Sequence, residues 1–263
     1  MNYFAHLSAA ERYAQSRPYF HPLVIDRIRH FLRFDGQVPV GLDVACGTGQ
    51  SSLALTEIAA SVIATDVSPA MLAQAAAHPR IRYQEAPAER LPLDDQSVDL
   101  ITVSLAFHWL DRVRFLGEAR RILRPGGTLV IYWNDFHGEM VENPEFKRWT
   151  FERYLRRYPK PPRNDRPLTD QDAQACGLVF AGRERYTNEI TFSPEELVRC
   201  LMTHTNIIAA VEQGGESLAE AYAWLLDTAG PLFPAVTANF IFGGEIWYLR
   251  PGRNEALGAS NER

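Results

Sequence analysis

The sequence predicts an α/β fold: an open, mostly parallel sheet covered by helices on both faces. Short apolar runs alternate with helix-like segments from Pro39 to Trp133, the connections between them are brief, and one helix opens on an unmistakable cap. This pattern is that of parallel βαβ units. "PVGLDVA" (39–45) reads as a first buried strand and "QSSLALTEIAA" (50–60) as an amphipathic helix. "SVIATD" (61–66) is a second strand, and "SPAMLAQAAA" (68–77) starts with an N-cap Ser68 and Pro69 at the first helical position. "RIRYQE" (80–85) and "SVDLITVS" (97–104) are the third and fourth strands, with only weak helix signals between them. "VRFLGEARRIL" (113–123) is a helix, and "GTLVIYW" (127–133) is a fifth strand after the turn Arg124-Pro125-Gly126-Gly127. Beyond Trp133 the regularity breaks. Residues 144–158 read as helical and then become proline-rich, 183–192 as a sixth strand, 193–229 as helical from Ser193-Pro194, and 237–251 as a seventh strand. The tail from Gly252 is expected to fray.

Composition narrows the function classes. The 263 residues are 46% hydrophobic and 22% charged, which is ordinary for a globular protein with a substantial core. No apolar run approaches the roughly 18 residues of a membrane helix. The N-terminus lacks a basic stretch followed by an apolar one, so no signal peptide is expected. Cys46, Cys176 and Cys200 are too few and too scattered for a disulfide framework or a zinc site. A reducing cytoplasm and no metal are therefore expected. The net charge of −5 speaks against nucleic acid as a partner, and the oligomeric state is not legible. Between Glu145 and Arg166, however, eight Lys or Arg stand against three Asp or Glu. This segment reads either as a solvated helix and loop or as a basic wall facing an acidic substrate.

In an open parallel sheet the ligand lies beyond the carboxyl ends of the strands, where strand order reverses. The first such end is "LDVACGTGQSS". Gly47 and Gly49 allow a tight turn and close backbone approach to a ligand at the next helix. The spacing fits neither a dinucleotide fingerprint, since Ser52 stands where a third glycine belongs, nor a phosphate loop, which needs a lysine. Asp66 ends the second strand, where a carboxylate can accept both hydroxyls of a ribose; the bland alternative is a helix cap, a role Ser68 already fills.

In "LDVACGTGQ", "VIATDVSPAML", "APAERLPLDDQSVDLITVSLAFHW" and "RRILRPGGTLVIYW" the chain resembles the class I S-adenosylmethionine-dependent methyltransferases, whose motifs follow in this order over residues 39–133. "YAQSRPYF" and the His108-Trp109 pair are similar to a subgroup that includes trans-aconitate and related small-molecule carboxyl methyltransferases. The resemblance implies a Rossmann-like, doubly wound, seven-stranded sheet with an antiparallel last strand and a helical cap. It implies a helical segment over 1–38 closing on the cofactor, a cofactor-binding core over 39–133, and cap insertions over 134–182 and 193–236. The last two strands would then be 183–192 and 237–251.

Carried over residue by residue, the resemblance implies that Ala45, Cys46, Gly47, Gly49 and Gln50 line the aminoacid portion of S-adenosylmethionine. Asp66 would hold its ribose, Val67 and Met71 would flank the adenine, and Ala88 and Glu89 would meet the adenine edge. Ser104 and Leu105 would face the methionine portion, and Tyr13 and Arg17 would close over it. Three of these have plainer readings: Met71 as core, Glu89 as an exposed loop acid and Arg17 as a surface arginine. One departure is that Ala45 replaces the family's first glycine, and it fits provided its φ is negative.

His108 has three readings: a base for an alcohol, phenol or amine; a group that orients a carboxylate; or a ring packed on Trp109. A carboxylate nucleophile, ionised above about pH 4, needs no base. His204, Thr205 and Asn206 are candidate substrate contacts from "LMTHTNI", with Trp133, Arg148 and Arg153 named from strand-end position and charge. The expected activity is O-methylation of a small, acidic molecule at its carboxylate. The alternatives are methylation of a phenol, hydroxyl or amine with His108 as base, or a protein that binds S-adenosylmethionine without transfer.

Overall fold

Strand β1 (Val38–Val44) shows how side-chain alternation builds the protein. The computed structural model describes residues 7–33, 35–212 and 214–252. The tail beyond Gly252 and the first six residues of the expected 1–38 segment lie outside the described residues. In β1, Leu42 and Val44 point to one face of the sheet, where they meet Phe115, Leu116 and Ile122 of a covering helix. Asp43 points to the other. The period of two places alternate side chains in different cores, and Leu100, Val130 and Tyr132 of later strands pack there with Ile25, Ile28 and Leu55.

In chain order the elements are α1 (Leu7–Ser16), α2 (His21–Leu32), β1, α3 (Gln50–Leu55), β2 (Ala59–Asp66), α4 (Pro69–Leu72), β3 (Ile81–Glu85) and β4 (Val98–Ser104). A 3₁₀ turn, Phe107–Trp109, leads to α5 (Arg112–Ile122), β5 (Leu123–Tyr132) and β6 (Asp135–Met140). The cap then follows: α6 (Glu145–Trp149), a π-helical turn (Thr150–Tyr154), α7 (Leu155–Arg157) and α8 (Asp170–Ala175). β7 (Leu178–Phe192), α9 (Pro194–Leu201), α10 (Thr205–Glu212), α11 (Leu218–Ala229) and β8 (Ala238–Pro251) complete it.

β3, β2, β1, β4 and β5 pair in parallel in that order. β8 runs antiparallel to β5, β6 and β7. The doubly wound sheet with an antiparallel last strand is therefore present, with eight strands rather than the expected seven. The additional strand is a continuation of another. β5 and β6 lie end to end along one edge of β8, Tyr132 opposite Ile246 and Asp135 opposite Gly243, so eight strands occupy seven rows.

Several boundaries differ from expectation for local reasons. α3 stops at Leu55, not near residue 60, because the Thr56 hydroxyl donates back to the Leu53 carbonyl (2.7 Å) and Ala59 already belongs to β2. Past Leu72 the 68–77 segment continues in tight turns, Gln74 N–H to Met71 and Ala75 N–H to Leu72. The Arg124–Gly127 turn is a bulge inside β5: Val98 pairs with Leu123 and Leu100 with Thr128. The 134–182 segment is not purely helical, since it contains β6 and the start of β7. β7 takes in 178–182 because β8 is long enough to pair with it along its full length.

The cap has its own core. Phe146, Trp149, Tyr154, Tyr158, Leu197, Leu201 and Leu225 pack on Phe240 and Phe242 from the first half of β8. The second half, through Ile246 and Tyr248, belongs to the core beneath α2. α1 packs against both α4 and α9, joining the sheet domain to the cap. No helix among the described residues is long and apolar enough to cross a membrane.

Candidate active site

Strand order reverses between β1 and β4, and a cavity of about 900 Å³ opens at their carboxyl ends, bounded by α1 and the cap. Its floor is the loop from β1 to α3. Asp43, fully buried below that loop, accepts hydrogen bonds from Ser51 (2.6 Å), Ser52 (2.7 Å) and Thr102 (3.0 Å). Burial raises its carboxyl to about 6 against the opposing pull of those hydroxyls. This cluster ties the start of α3 to β1 and β4.

The loop itself is left-handed at three positions, Ala45 (φ 55°), Gly47 (φ 56°) and Gly49 (φ 79°). Ala45 thus departs from the negative φ its replacement of glycine called for. The geometry survives, with a side chain in a region that disfavours L-residues by roughly 1–2 kcal/mol. Leu105, at the end of β4, is also left-handed (φ 55°). Both strained residues line the cavity, where backbone strain commonly collects.

Asp66 closes the floor from β2. One carboxylate oxygen accepts the Gly47 amide and the other the Ser68 amide, each at 2.8 Å. Ser68 caps α4 as expected, accepting the Met71 amide. Asp66 is therefore not a helix cap but a brace between two strand-end loops, and it also borders the cavity. Burial raises its carboxyl despite those amides.

The structure brings most of the expected residues to this one cavity. Tyr13, Arg17, Ala45, Cys46, Gly47, Gln50, Asp66, Val67, Met71, Ala88, Glu89, Ser104, Leu105, His108 and Thr205 all line it. Glu89 also accepts the Asp111 amide (2.9 Å), so it is more than a loose loop acid. Arg17 lies over the Tyr13 ring at 5.0 Å.

Six expected residues lie elsewhere. Gly49 sits under the loop, where a Cβ would strike the Tyr83 hydroxyl, so it serves packing and not the cavity wall. Trp133 packs against Phe107 and Trp247 in the short link by which the chain passes from β5 into β6 along β8. Arg148 points to solvent and pairs with Glu145 (3.1 Å) and Glu152, and Arg153 is exposed. His204 and Asn206 are consumed by a network inside the cap. The Tyr154 hydroxyl lies 3.1 Å from His204 Nδ1 and donates to Asn206 Oδ1 (3.2 Å), while Asn206 Nδ2 donates to the Tyr158 carbonyl (2.9 Å). Burial holds His204 well below the usual imidazole range, hence neutral.

His108 lies on the cavity wall with its ring 4.7 Å from that of Trp109. Burial, reinforced by the nearby Arg163 guanidinium, pushes its pKa down to about 4. At neutral pH it is an uncharged ring and a weak base.

Sequence reasoning missed Thr48, Asp135, Pro162 and Arg163 on the cavity wall. Thr48 lies inside the Gly47–Gly49 motif, and its buried hydroxyl has no hydrogen-bond partner. Asp135 and Arg163 carry no local motif. Only the basic run around Arg163 hinted at them, and of that run Arg163 reaches the cavity while Arg148 and Arg153 do not.

Residues 42–131 match a family model described as a methyltransferase domain. An uncharacterized methyltransferase of Mycobacterium tuberculosis is 38% identical over 128 residues, 48% of this chain and 51% of the relative. A malonyl-[acyl-carrier protein] O-methyltransferase of Pectobacterium atrosepticum is 44% identical over 90 residues, 34% of this chain and 36% of the relative. The chain thus matches about half the length of the first relative and about a third of the second. A proposed type II methyltransferase from Anaeromyxobacter dehalogenans superimposes with a TM-score of 0.65 at 23% identity, over 87% of this chain and 95% of that one. Residues 42–131 are thus a methyltransferase domain.

Proposed function

We propose that this chain transfers the methyl group of S-adenosylmethionine to a carboxylate of a small molecule, giving a methyl ester. The residues present suit the donor. The partnerless Thr48 hydroxyl and the backbone from Ala45 to Gly47 form a polar cradle for its aminoacid end. Asp66, already fixed by two amides, keeps lone pairs for two ribose hydroxyls, and Val67, Met71, Ala88 and Glu89 form the adenine wall. Tyr13 and Arg17 of the α1 region cover the charged end. When bound, the sulfonium supplies an activated methyl group: the acceptor oxygen forms the new bond to carbon and the carbon–sulfur electron pair leaves on sulfur.

The observation that carries the ester reading is that the Arg163 guanidinium and a half-buried His108 line the same cavity. The His108 pKa near 4, lowered by burial and by Arg163, makes the ring a poor base but leaves it able to donate one hydrogen bond. A carboxylate is already ionised at neutral pH and asks only to be aligned, which is the larger part of catalysis for such a transfer. The Arg163 guanidinium on the same wall favours an anion. The work of this chain's residues is then to bind, to orient and to exclude water.

A screen with methyl-labelled S-adenosylmethionine against carboxylic acids, phenols and amines tests this reading. The expected product is a base-labile methyl ester. A label stable to mild base, on a phenol or an amine, would contradict it.

A further inference from the structure

Two oppositely charged side chains border the cavity without pairing. Asp135 opens β6, immediately past the point where β5 ends. More than a third of its surface is accessible, and it lines the cavity. Arg163 reaches the same cavity from the proline-rich segment 159–167, with only 19% of its side chain exposed. Burial raises the Asp135 carboxyl against the opposing pull of the Arg163, Lys160 and Arg17 charges. Among the described residues, nevertheless, no ion pair within 4.0 Å joins Asp135 to any of them. Asp135 and Arg163 thus border one cavity with no ion pair joining them, so each is available to a ligand held there.

Arg163 is held in place and does not hang free. Asp165 engages its Nε at 2.8 Å. The Asn164 amide donates to the His108 carbonyl (3.3 Å), and the Arg112 guanidinium donates to the carbonyls of Asn164 and Arg166. Arg112 itself lies over the Phe107 ring at 4.6 Å. The proline-rich segment is thus strapped to the 3₁₀ turn that carries His108, so Arg112 acts on the site through the strap.

Building on the ester reading, we propose that the acceptor is a hydroxy acid, its carboxylate taken by Arg163 and its hydroxyl by Asp135. A plain acid leaves Asp135 facing the cavity unanswered, and a second carboxylate there would be repelled. An ammonium would suit Asp135 but would meet Arg163, Arg17 and Lys160. A hydroxyl donates to Asp135 without adding charge, and the pairing of an anion with a neutral donor matches both walls at once.

The test uses the full chain loaded with S-adenosylhomocysteine and matched C4 and C8 acids: unsubstituted, 3-hydroxy and 3-amino. Calorimetry should rank the hydroxy acids about tenfold above the other two, the scale of one hydrogen bond to a charged group. Asp135→Asn should erase that preference and Arg163→Gln should weaken every acid about 10- to 100-fold. Arg163→Lys should retain part of the affinity, and Arg112→Gln should act in the same direction as Arg163→Gln but less. S-adenosylhomocysteine affinity should be unchanged in all of them, which separates a site effect from misfolding. Equal affinity for hydroxy and unsubstituted acids in the wild type, or a preference that survives Asp135→Asn, overturns the proposal. Hydroxy-acid binding with these dependences but no ester product would refute the ester reading and keep the hydroxy-acid site at Asp135 and Arg163. Ester formation indifferent to Asp135 and Arg163 would do the reverse, and no binding of any acid refutes both.

Discussion

The two ends of the cavity are built by different means. At the end formed by β1, β2 and their loops, the floor is a backbone turn, held by Asp43 and Asp66 through hydroxyls and amides at 2.6–3.0 Å. At the cap end the wall is side chain: His108, Asp135 and Arg163, delivered by three segments that are far apart in the sequence. A backbone floor suits a ligand that never changes, because its donors are fixed by the fold. A side-chain wall can be exchanged residue by residue, which suits an acceptor that differs from one family member to another.

The sharpest way to break this contrast is Asp66→Ala. It removes the carboxylate that braces Gly47 and Ser68 as well as the proposed ribose contact. Losing two hydrogen bonds to a charged acceptor should weaken S-adenosylhomocysteine about 100-fold by calorimetry. Affinity within threefold of wild type would show that the floor does not depend on this brace.

His108 gives the next effect. With a pKa near 4 it stays neutral through the physiological range, so kcat should show no imidazole step between pH 6 and 8. The sign for stability follows: the folded state holds the proton less tightly than the unfolded chain does. Its contribution is therefore complete above the ordinary imidazole pKa of 6.5 and is lost as pH falls from 6.5 towards 4. Replacing His108 with Asn should make that part of the stability profile less steep, as measured by urea denaturation, with His204 and His21 supplying the remainder. A step in kcat near 6.5 that disappears in the same variant would restore the imidazole as the base.

A smaller effect is expected at Ala45. Glycine there removes the left-handed strain and should raise stability by roughly 1 kcal/mol, against the usual penalty for introducing glycine. A lower denaturation midpoint would mean that Ala45 is not strained. The smallest effect sharpens the boundary of the site: Arg148→Ala, pairing only with Glu145 and Glu152 on the surface, should change neither stability nor turnover measurably.

The same contrast explains what the sequence disclosed. The backbone-built end is encoded locally: an apolar run, small residues that permit positive φ, a strand-terminal Asp66, and Ser68-Pro69 opening α4. These determinants lie within a few residues of one another, so they were readable without a fold. Gly49 has the positive φ that the tight turn asks for, and a second reason in Tyr83, a tertiary neighbour that spacing does not reveal. The cap end rests on register. Trp133 packs on the core in the link from β5 into β6 along β8, and that continuation also put Asp135 on the cavity. Arg148 and Arg163 share one basic run, and only the strap tied to Arg112 decides that the second reaches the site. His204 and Asn206 sit next to Thr205, yet helix geometry turns them into the cap network and leaves Thr205 at the cavity.

One cavity would then hold the donor at its backbone-built end and present the acceptor to its side-chain-built end. A crystal structure of the complex with S-adenosylhomocysteine decides the matter. The ribose hydroxyls should lie on Asp66 and the sulfur near Ser104 and Leu105, facing an open volume bordered by His108, Asp135 and Arg163. A nucleoside bound at the cap end, or a sulfur turned away from His108, would contradict this arrangement.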